Sequence, residues 1–349
     1  MQLTQKDKQT IKANYKLQGC PQNSKPNTDC IITAKGDKFA VGSYGNFTKI
    51  YQTNNCKLLR KLKGHSNVVY SIAFNSPFDT KIVTGSFDKR SMIWDVESGK
   101  CQQVLNKHNL EVVCNKFDPT SEYVATASMD HTTKLWNVET GQLVHDLVDH
   151  TQEVIYLDFN SDGKLLLSTS FDQTANLYDT INGKLIANFR NHHGELTKAI
   201  LNNTGTLIAT ASIDKTCCIW DIRTEKCLKQ LKNHSDEILD CDFSADGKKF
   251  VTASADNTAI VYDVNTFEIL GTLNQHKEEV LKVLFLPDNQ RVITSSQDQT
   301  AQIYSIYGSC LQSLQYQKGD IFGLAKSNDG KIIVTTSQEN QSAVWREQI

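Results

Sequence analysis

The chain of 349 residues has only 5 prolines and no apolar run near the roughly 18 residues that a membrane-spanning helix needs. Its first residues, Met1 to Asp7, are polar and lack the apolar core of a signal peptide. The chain also lacks a charge excess, because 39 acidic side chains oppose 37 basic ones for a net charge of -2. This balance gives no electrostatic case for binding nucleic acid or an anionic membrane. We therefore expect a soluble, intracellular protein.

Sequence motifs for nucleotide and metal binding are missing. There is no GxxxxGK(S/T) loop, no GxGxxG after a predicted strand, no HExxH motif, and no Cys/His pair at zinc-ligand spacing. Ten cysteines are present, but Cys101, Cys227 and Cys310 occupy one repeated position and the others form no CxxC motif. We expect reduced, buried thiols, no metal and no cofactor.

Histidine and the large aromatic residues recur with a fixed period. Six of the nine histidines are separated by 43, 42, 42, 42 and 42 residues. They are His65, His108, His150, His192, His234 and His276. A parallel aromatic series contains Tyr51, Trp94, Trp136, Tyr178, Trp220, Tyr262, Tyr304 and Trp345. Self-similarity at such a period indicates a repeat architecture, which a chain of this length can complete as one domain.

Each period reads as four short strands. Residues 81–86 and 90–94 are rich in β-branched and aromatic side chains, as strands are. Asx/Gly segments such as residues 161–164 are typical of the tight turns between them. Four strands in about 42 residues match one blade of a β-propeller, and eight aromatic positions predict eight blades.

The last blade needs a strand from elsewhere in the chain. Only four residues follow Trp345, too few for a fourth strand. Residues 13–18 resemble the strands that precede the histidines, so we expect them to complete this blade and leave no unpaired sheet edge. The predicted fold is all-β: a single eight-bladed propeller over residues 12–349, closed by an N-terminal strand, after a polar tail of residues 1–11.

A repeated group of histidine, serine and aspartate accompanies the aromatic series. A hydrolase would need such a trio once, whereas this one occurs six times, so we interpret it as a structural hydrogen-bond network and expect no enzyme. The histidine is expected to bond the aspartate, the serine and the aromatic residue. The predicted network includes His65, Ser86, Asp88 and Trp94; His108, Ser128, Asp130 and Trp136; and His192, Ser212, Asp214 and Trp220.

Two series predict a partner-binding surface on the face that carries the turns before the third strands. An apolar residue precedes the position of the turn aspartate in five consecutive blades, the first of which has Gly45 at that position, and an acid stands three residues after the histidine in five blades. The apolar residues are Tyr44, Phe87, Met129, Phe171 and Ile213, and the acids are Glu111, Glu153, Glu195, Glu237 and Glu279. Tyr70 heads a further series that either joins this surface or packs between blades. Apolar anchors with surrounding acids would attract a basic partner.

The Gly-His, Ser-x-Asp and Trp-Asp elements resemble those of WD-repeat proteins. Residues 65–75, 84–89, 236–240 and 253–259 are similar to the WD-repeat outer-dynein-arm assembly factors of cilia and flagella. That resemblance implies an eight-bladed, monomeric adaptor in the cytoplasm and cilium. It would link preassembled outer dynein arms to intraflagellar transport proteins as part of a larger assembly.

Two other roles remain open. Members of that family carry a helical segment before the propeller, whereas about eleven polar residues precede the first predicted strand here. The first alternative is therefore a stationary component of the ciliary axoneme, bound to doublet microtubules or dynein. The second is a ubiquitin-ligase substrate receptor, because Trp220, Asp221 and Arg223 resemble the W-D-x-R box of such receptors.

Overall fold

The computed structural model describes residues 11–348, which form eight four-stranded antiparallel sheets. Blade 1 contains β2 to β5, Asn27–Ile32, Lys38–Ser43, Phe47–Gln52 and Leu58–Lys63, and blade 2 contains β6 to β9, Val69–Phe74, Lys81–Ser86, Ser91–Asp95 and Cys101–Leu105. Blade 3 contains β10 to β13, Val112–Phe117, Tyr123–Ser128, Thr133–Asn137 and Leu143–Leu147. Blade 4 contains β14 to β17, Val154–Phe159, Leu165–Ser170, Thr174–Asp179 and Leu185–Arg190.

Blades 5 to 8 contain the remaining strands. Strands β18 to β29 are Leu196–Leu201, Leu207–Ser212, Cys217–Asp221 and Lys226–Leu231; Ile238–Phe243, Lys249–Ser254, Ala259–Asp263 and Ile269–Leu273; Val280–Phe285, Arg291–Ser296, Ala301–Ser305 and Cys310–Leu314. Blade 8 combines β30 to β32, Ile321–Lys326, Ile332–Ser337 and Ser342–Glu347, with β1, Tyr15–Gly19. The prediction of an all-β, eight-bladed propeller is confirmed. Residues 11–348 contain no helix with the length and apolarity needed to cross a membrane.

The four strands of a blade, called a to d from the centre outward, differ in burial. Strand b of blade 2, Lys81–Ser86, is buried on both faces after its first residue, because neighbouring blades cover both sides of the sheet. The outermost strand of blade 1, Leu58–Lys63, is mostly exposed. The apolar core is divided among the spaces between blades, as where Ile50 of blade 1 packs in one cluster with Val69 and Trp94 of blade 2. Every blade is therefore stabilised by its neighbours.

The first strand closes the ring as predicted. Strand β1 pairs antiparallel with β32, with Tyr15 opposite Glu347, and begins two residues later than the sequence indicated. Tyr15 is buried in a cluster with Ile293 and Trp345, so the contact spans blades 7 and 8. The predicted polar tail, residues 1–11, lies outside the described residues except for Ile11.

Candidate protein-interaction face

Blades 2, 3 and 5 each contain the same buried chain of hydrogen bonds. In blade 2, Nδ1 of His65 lies 2.9 Å from Asp88 Oδ2, and its Nε2 lies 2.7 Å from the Oγ1 of Thr84. The indole Nε1 of Trp94 donates to the same hydroxyl over 2.9 Å. All donors are used when a neutral His65 donates from Nδ1 and accepts at Nε2 from the threonine hydroxyl. The chain recurs at His108, Thr126, Asp130 and Trp136, and at His192, Thr210, Asp214 and Trp220.

Two predicted bonds of the histidine are wrong, the one to the aromatic residue and the one to the serine two residues before the aspartate. The indole of Trp94 donates to Thr84 and not to His65. Ser86 Oγ accepts from the backbone N–H of Asp88 over 3.1 Å and donates to the carbonyl of Asn67 over 3.3 Å. Thr84 and Ser86 lie on one face of the strand, but the serine stands at its end, where its hydroxyl meets the turn. Ser128 and Ser212 make the same turn bonds. The threonine, with its own period of 42 residues from Thr84 to Thr126, was the missed signal.

Blades 1 and 8 rebuild this network with amides. In blade 8, Gln317 takes the place of the histidine and accepts from the hydroxyl of Thr335, which in turn accepts from Nε1 of Trp345. In blade 1, Asn23 occupies this place and accepts from the hydroxyl of Tyr51 over 3.1 Å. An amide supplies donor and acceptor without a charged partner, so neither blade needs the turn aspartate.

The turn aspartates are held in their ionised form. Burial alone would raise the pKa of Asp298, but hydrogen bonds from His276, Thr300 and the backbone N–H of Lys277 outweigh it and lower the pKa to about 2. Burial is likewise outweighed at the five other aspartates, whose pKa values are lowered by the same bonds, except that Arg90 takes the place of the threonine at Asp88. They are Asp88, Asp130, Asp172, Asp214 and Asp256.

These lowered pKa values predict acid unfolding. A carboxyl group whose folded pKa lies below its unfolded value of about 4 stabilises the fold above pH 4 and loses that contribution as pH falls through its folded pKa. The free energy of unfolding, measured in urea by tryptophan fluorescence, should fall steeply from pH 4 towards pH 2. Asp298→Asn should reduce this slope by up to about 1.4 kcal/mol per pH unit, whereas the exposed control Glu122→Gln should not. Equal slopes in both variants would contradict the assignment.

The b–c turns and the d–a loops lie on one face, here called the upper face. The backbone N–H of Phe87 donates to the carbonyl of Val68, and that of Met129 to the carbonyl of Glu111, each over 3.0 Å. The same bond attaches the turns at Tyr44, Phe171 and Ile213 to their loops. The amide of each predicted apolar turn residue is therefore bonded to a d–a loop, and in blades 3 to 5 the bonded loop residue is a predicted acid.

The apolar turn residues differ in exposure. Tyr44 is 54% exposed and Tyr70 is 43% exposed, and the Tyr70 ring stacks on Phe87 with 5.4 Å between centroids. Phe87 is half-buried, and so are Met129, Phe171 and Ile213. Among these predicted residues, the exposed aromatic side chains are therefore on blades 1 and 2. The apolar turn residues of blades 1 to 5 form an arc on the upper face, and those of blades 3 to 5 are half-buried.

The acidic residues surround the rest of the upper face. Glu195 and Glu237 are exposed, while Glu111, Glu153 and Glu279 are half-buried. Asp320 takes the same position in blade 8, but Pro26 and Val68 take it in blades 1 and 2. The upper face thus has an acidic sector on blades 3 to 8, and blades 1 and 2 lack an acid at this position.

The W-D-x-R sequence of blade 5 does not lie on the upper face. Arg223 of the W-D-x-R sequence is exposed in the c–d turn of blade 5, on the face opposite the upper face. Between residues 11 and 348, no three histidine, cysteine, aspartate or glutamate side chains group closely enough to hold a metal ion. The arrangement therefore offers a surface for partners, built on repeated structural bonds.

Six consecutive segments match the family described as "WD domain, G-beta repeat": residues 56–95, 99–137, 141–179, 183–221, 225–263 and 267–305. The first match begins before strand d of blade 1 and ends at Asp95, the last residue of strand c of blade 2. The next matches follow the same offset. A repeat unit that straddles two blades is consistent with a ring closed by a strand from the other terminus.

Curated relatives match part of the chain. "Dynein assembly factor with WD repeat domains 1" of Mus musculus is 40% identical over 99 residues, 28% of this chain and 24% of that protein. The Danio rerio protein of the same name is 41% identical over equal shares. "Denticleless protein homolog" of Gallus gallus is 31% identical over 94 residues, 26% of this chain and 12% of its own. The matched stretch thus spans about a quarter of the length of the dynein assembly factors. Since the matched repeats cover more than half of the sequence, the chain belongs to the WD-domain, G-beta repeat family.

Proposed function

We propose that this WD-repeat scaffold is a non-catalytic ciliary adaptor in the assembly of outer dynein arms, and that its upper face binds a protein partner. One observation carries the binding surface: each b–c turn is hydrogen-bonded to a d–a loop, and in blades 3 to 5 this bond places an apolar turn residue beside an acid. Loops on a rigid scaffold are where repeat proteins carry binding residues. The dynein setting is supported by the names of the partial relatives.

The upper face has the chemistry for a basic partner with apolar anchors. The acids of blades 3 to 8 would increase the rate of encounter with a basic surface and set its orientation. The apolar turn residues would supply the buried centre of the contact, because aromatic anchors in a desolvated patch contribute most binding energy. Phe87 and Phe171 stand in blades 2 and 4, so they sample two separate parts of the arc.

The double variant Phe87→Asp with Phe171→Asp should lose capture of outer dynein arm subunits and intraflagellar transport proteins. Two carboxylates at the centre of the contact would have to be desolvated without a partner charge. The measurement is capture by the immobilised protein from extract of ciliated cells, with those proteins identified by mass spectrometry. Thermal unfolding should be close to that of the wild type, because the replaced side chains are only half-buried at turns.

A matched control changes the opposite face of the same two blades. Phe78 in the a–b turn of blade 2 is 51% exposed, and Ile181 in the c–d turn of blade 4 is 75% exposed. Phe78→Asp with Ile181→Asp adds the same charge and should leave capture intact. Capture that survives the upper-face variant, or is lost only in this control, would rule out the upper face.

Fractionation of isolated cilia separates the adaptor from the axonemal role. An adaptor should be released with the soluble matrix by detergent. A stationary component should stay on the doublets through detergent and be removed only by high salt. Retention on the doublets would replace the proposed adaptor with a structural subunit.

A further inference from the structure

Blade 1 departs from the other blades at its b–c turn. Gly45 stands where blades 2 to 7 have the turn aspartate, and Phe47 stands where five of them, blades 3 to 7, have the threonine that bonds this aspartate. A Cβ on Gly45 would lie 2.5 Å from Cε1 of Phe47, so an aspartate cannot occupy this turn while the ring is there. The Phe47 ring takes the place of the threonine–aspartate hydrogen bond of blades 3 to 7.

A cavity opens beside this ring on the upper face. Its volume is about 330 Å³, and its walls include Lys25, Tyr44, Phe47 and the d–a loop of residues 66–68. This volume is at the lower end of the range of about 300 to 1,000 Å³ for ligand pockets. The cavity therefore has room for one large side chain, and it lies in the gap where Pro26 and Val68 replace the acids.

Three lysines surround Phe47. Lys25 lines the cavity, the Nζ of Lys61 lies 3.8 Å from the centroid of the Phe47 ring, and the Nζ of Lys49 lies 5.6 Å from it. Lys49 stands directly opposite Lys61 in the pairing of β4 with β5. Like charges placed opposite each other on a sheet are destabilising, unless an anion lies between or beside them.

These lysines have no acidic partner within the described part of the chain. No carboxylate of residues 11–348 lies within salt-bridge distance of Lys25, Lys49 or Lys61. Burial and the charge of Lys61 lower the pKa of Lys49. A bound anion would relieve this repulsion. Local arrangements that cost stability without a compensating contact are characteristic of binding sites.

We propose that this lysine corner, Lys25, Lys49 and Lys61 with the adjoining cavity, binds an acidic segment of a partner protein that carries one large apolar side chain. The carboxylates pair with the ammonium groups, and the apolar side chain enters the cavity against Tyr44 and Phe47. A small inorganic anion would use only the lysines and leave the cavity empty. The inference goes beyond the proposed function, because it concerns the sector without acids and a ligand of opposite charge.

The probe is a fluorescein-labelled, glutamate-rich peptide with one central tryptophan, titrated with the whole chain and followed by fluorescence anisotropy. We expect saturable binding that weakens as salt is raised. Lys25→Glu with Lys61→Glu should weaken it by about tenfold or more, since two attractive charges become repulsive. Replacing the tryptophan of the peptide by glycine, or Tyr44→Ser in the protein, should also weaken binding by about tenfold through loss of apolar contact.

The control is Lys184→Glu with Lys226→Glu, which makes the same charge change at exposed lysines near the c–d turns of blades 4 and 5. This variant should bind the peptide within about twofold of the wild type. Equal losses in the two lysine variants, an unaltered affinity without tryptophan, or no saturable binding would each overturn the proposal. Phe171→Asp should bind the peptide normally, so failed dynein capture and failed peptide binding are separate results.

Discussion

Tyr15→Ala is expected to lower the free energy of unfolding by about 3 to 5 kcal/mol, the cost of removing a fully buried aromatic side chain. Tyr15 is 2% exposed and packs with Ile293 and Trp345. Its hydroxyl donates to the carbonyl of Gly330, and the side chain of Gln312 bonds both its backbone N–H and its carbonyl. The residue thus connects β1 to two blades at the point of ring closure.

Loss of this contact should also affect the edge of the last blade. When β1 detaches, β32 becomes an exposed strand edge that can pair with another chain. We expect Tyr15→Ala to form concentration-dependent oligomers in size-exclusion chromatography below its unfolding midpoint. Lys16→Ala, an exposed neighbour opposite Arg346 on the same strand, is the control and should change neither quantity. Equal urea midpoints for the two variants would show that β1 does not stabilise the ring.

The eight-bladed ring and its closure could be predicted from the sequence because histidine and aromatic residues recur at a fixed period along the whole chain. Eight aromatic positions counted the blades, and four residues after Trp345 left one strand to be supplied by residues 13–18. Strand β1 begins at Tyr15, which is the first fully buried residue of the described chain and the first to pair with β32. Residue counting locates a missing strand, but packing decides where it begins.

The hydrogen-bond network was predicted only in part. The bond between histidine and aspartate was correct, but the histidine is joined to the tryptophan only through the hydroxyl of Thr84. Thr84 and Ser86 both stand at repeated positions and lie on one face of the strand. Their position along the strand decides which hydroxyl reaches the histidine. Ser86 ends the strand and bonds the turn, whereas Thr84, two residues earlier, reaches His65. Asn23 was also missed, because its amide resembles neither histidine nor the turn aspartate in type.

The interaction face shows a similar limit. The turn positions followed from the repeat, and their attachment to the loops follows from strand order. The solvent exposure of these turn residues could not be predicted from the repeat, because Phe87 is half-covered by stacking on Tyr70 while Tyr44 projects into solvent. The gap in the acidic series at Pro26 and Val68 was present in the sequence, but the cavity lined by Lys25, Phe47 and Val68 is visible only in the structure.

Thr210→Val should destabilise the propeller by about 2 to 4 kcal/mol without leaving a cavity, because valine has nearly the same shape. The substitution removes the hydroxyl that joins Nε2 of His192 to Nε1 of Trp220. Both nitrogens lie in buried side chains, and each buried polar group left unpaired costs about 1 to 3 kcal/mol. The measurement is the free energy of unfolding in urea, followed by tryptophan fluorescence.

Two comparisons make this result specific to the threonine. Ser212→Ala removes the hydroxyl that accepts from the backbone N–H of Asp214 in the turn and donates to the carbonyl of Glu195 in the d–a loop, and it should cost about 1 kcal/mol. Thr272→Val on the exposed outer strand of blade 6 should stay within about 0.5 kcal/mol of the wild type. If Ser212→Ala were the more damaging change, the histidine would depend on the serine after all. The expected order therefore decides which hydroxyl completes the network.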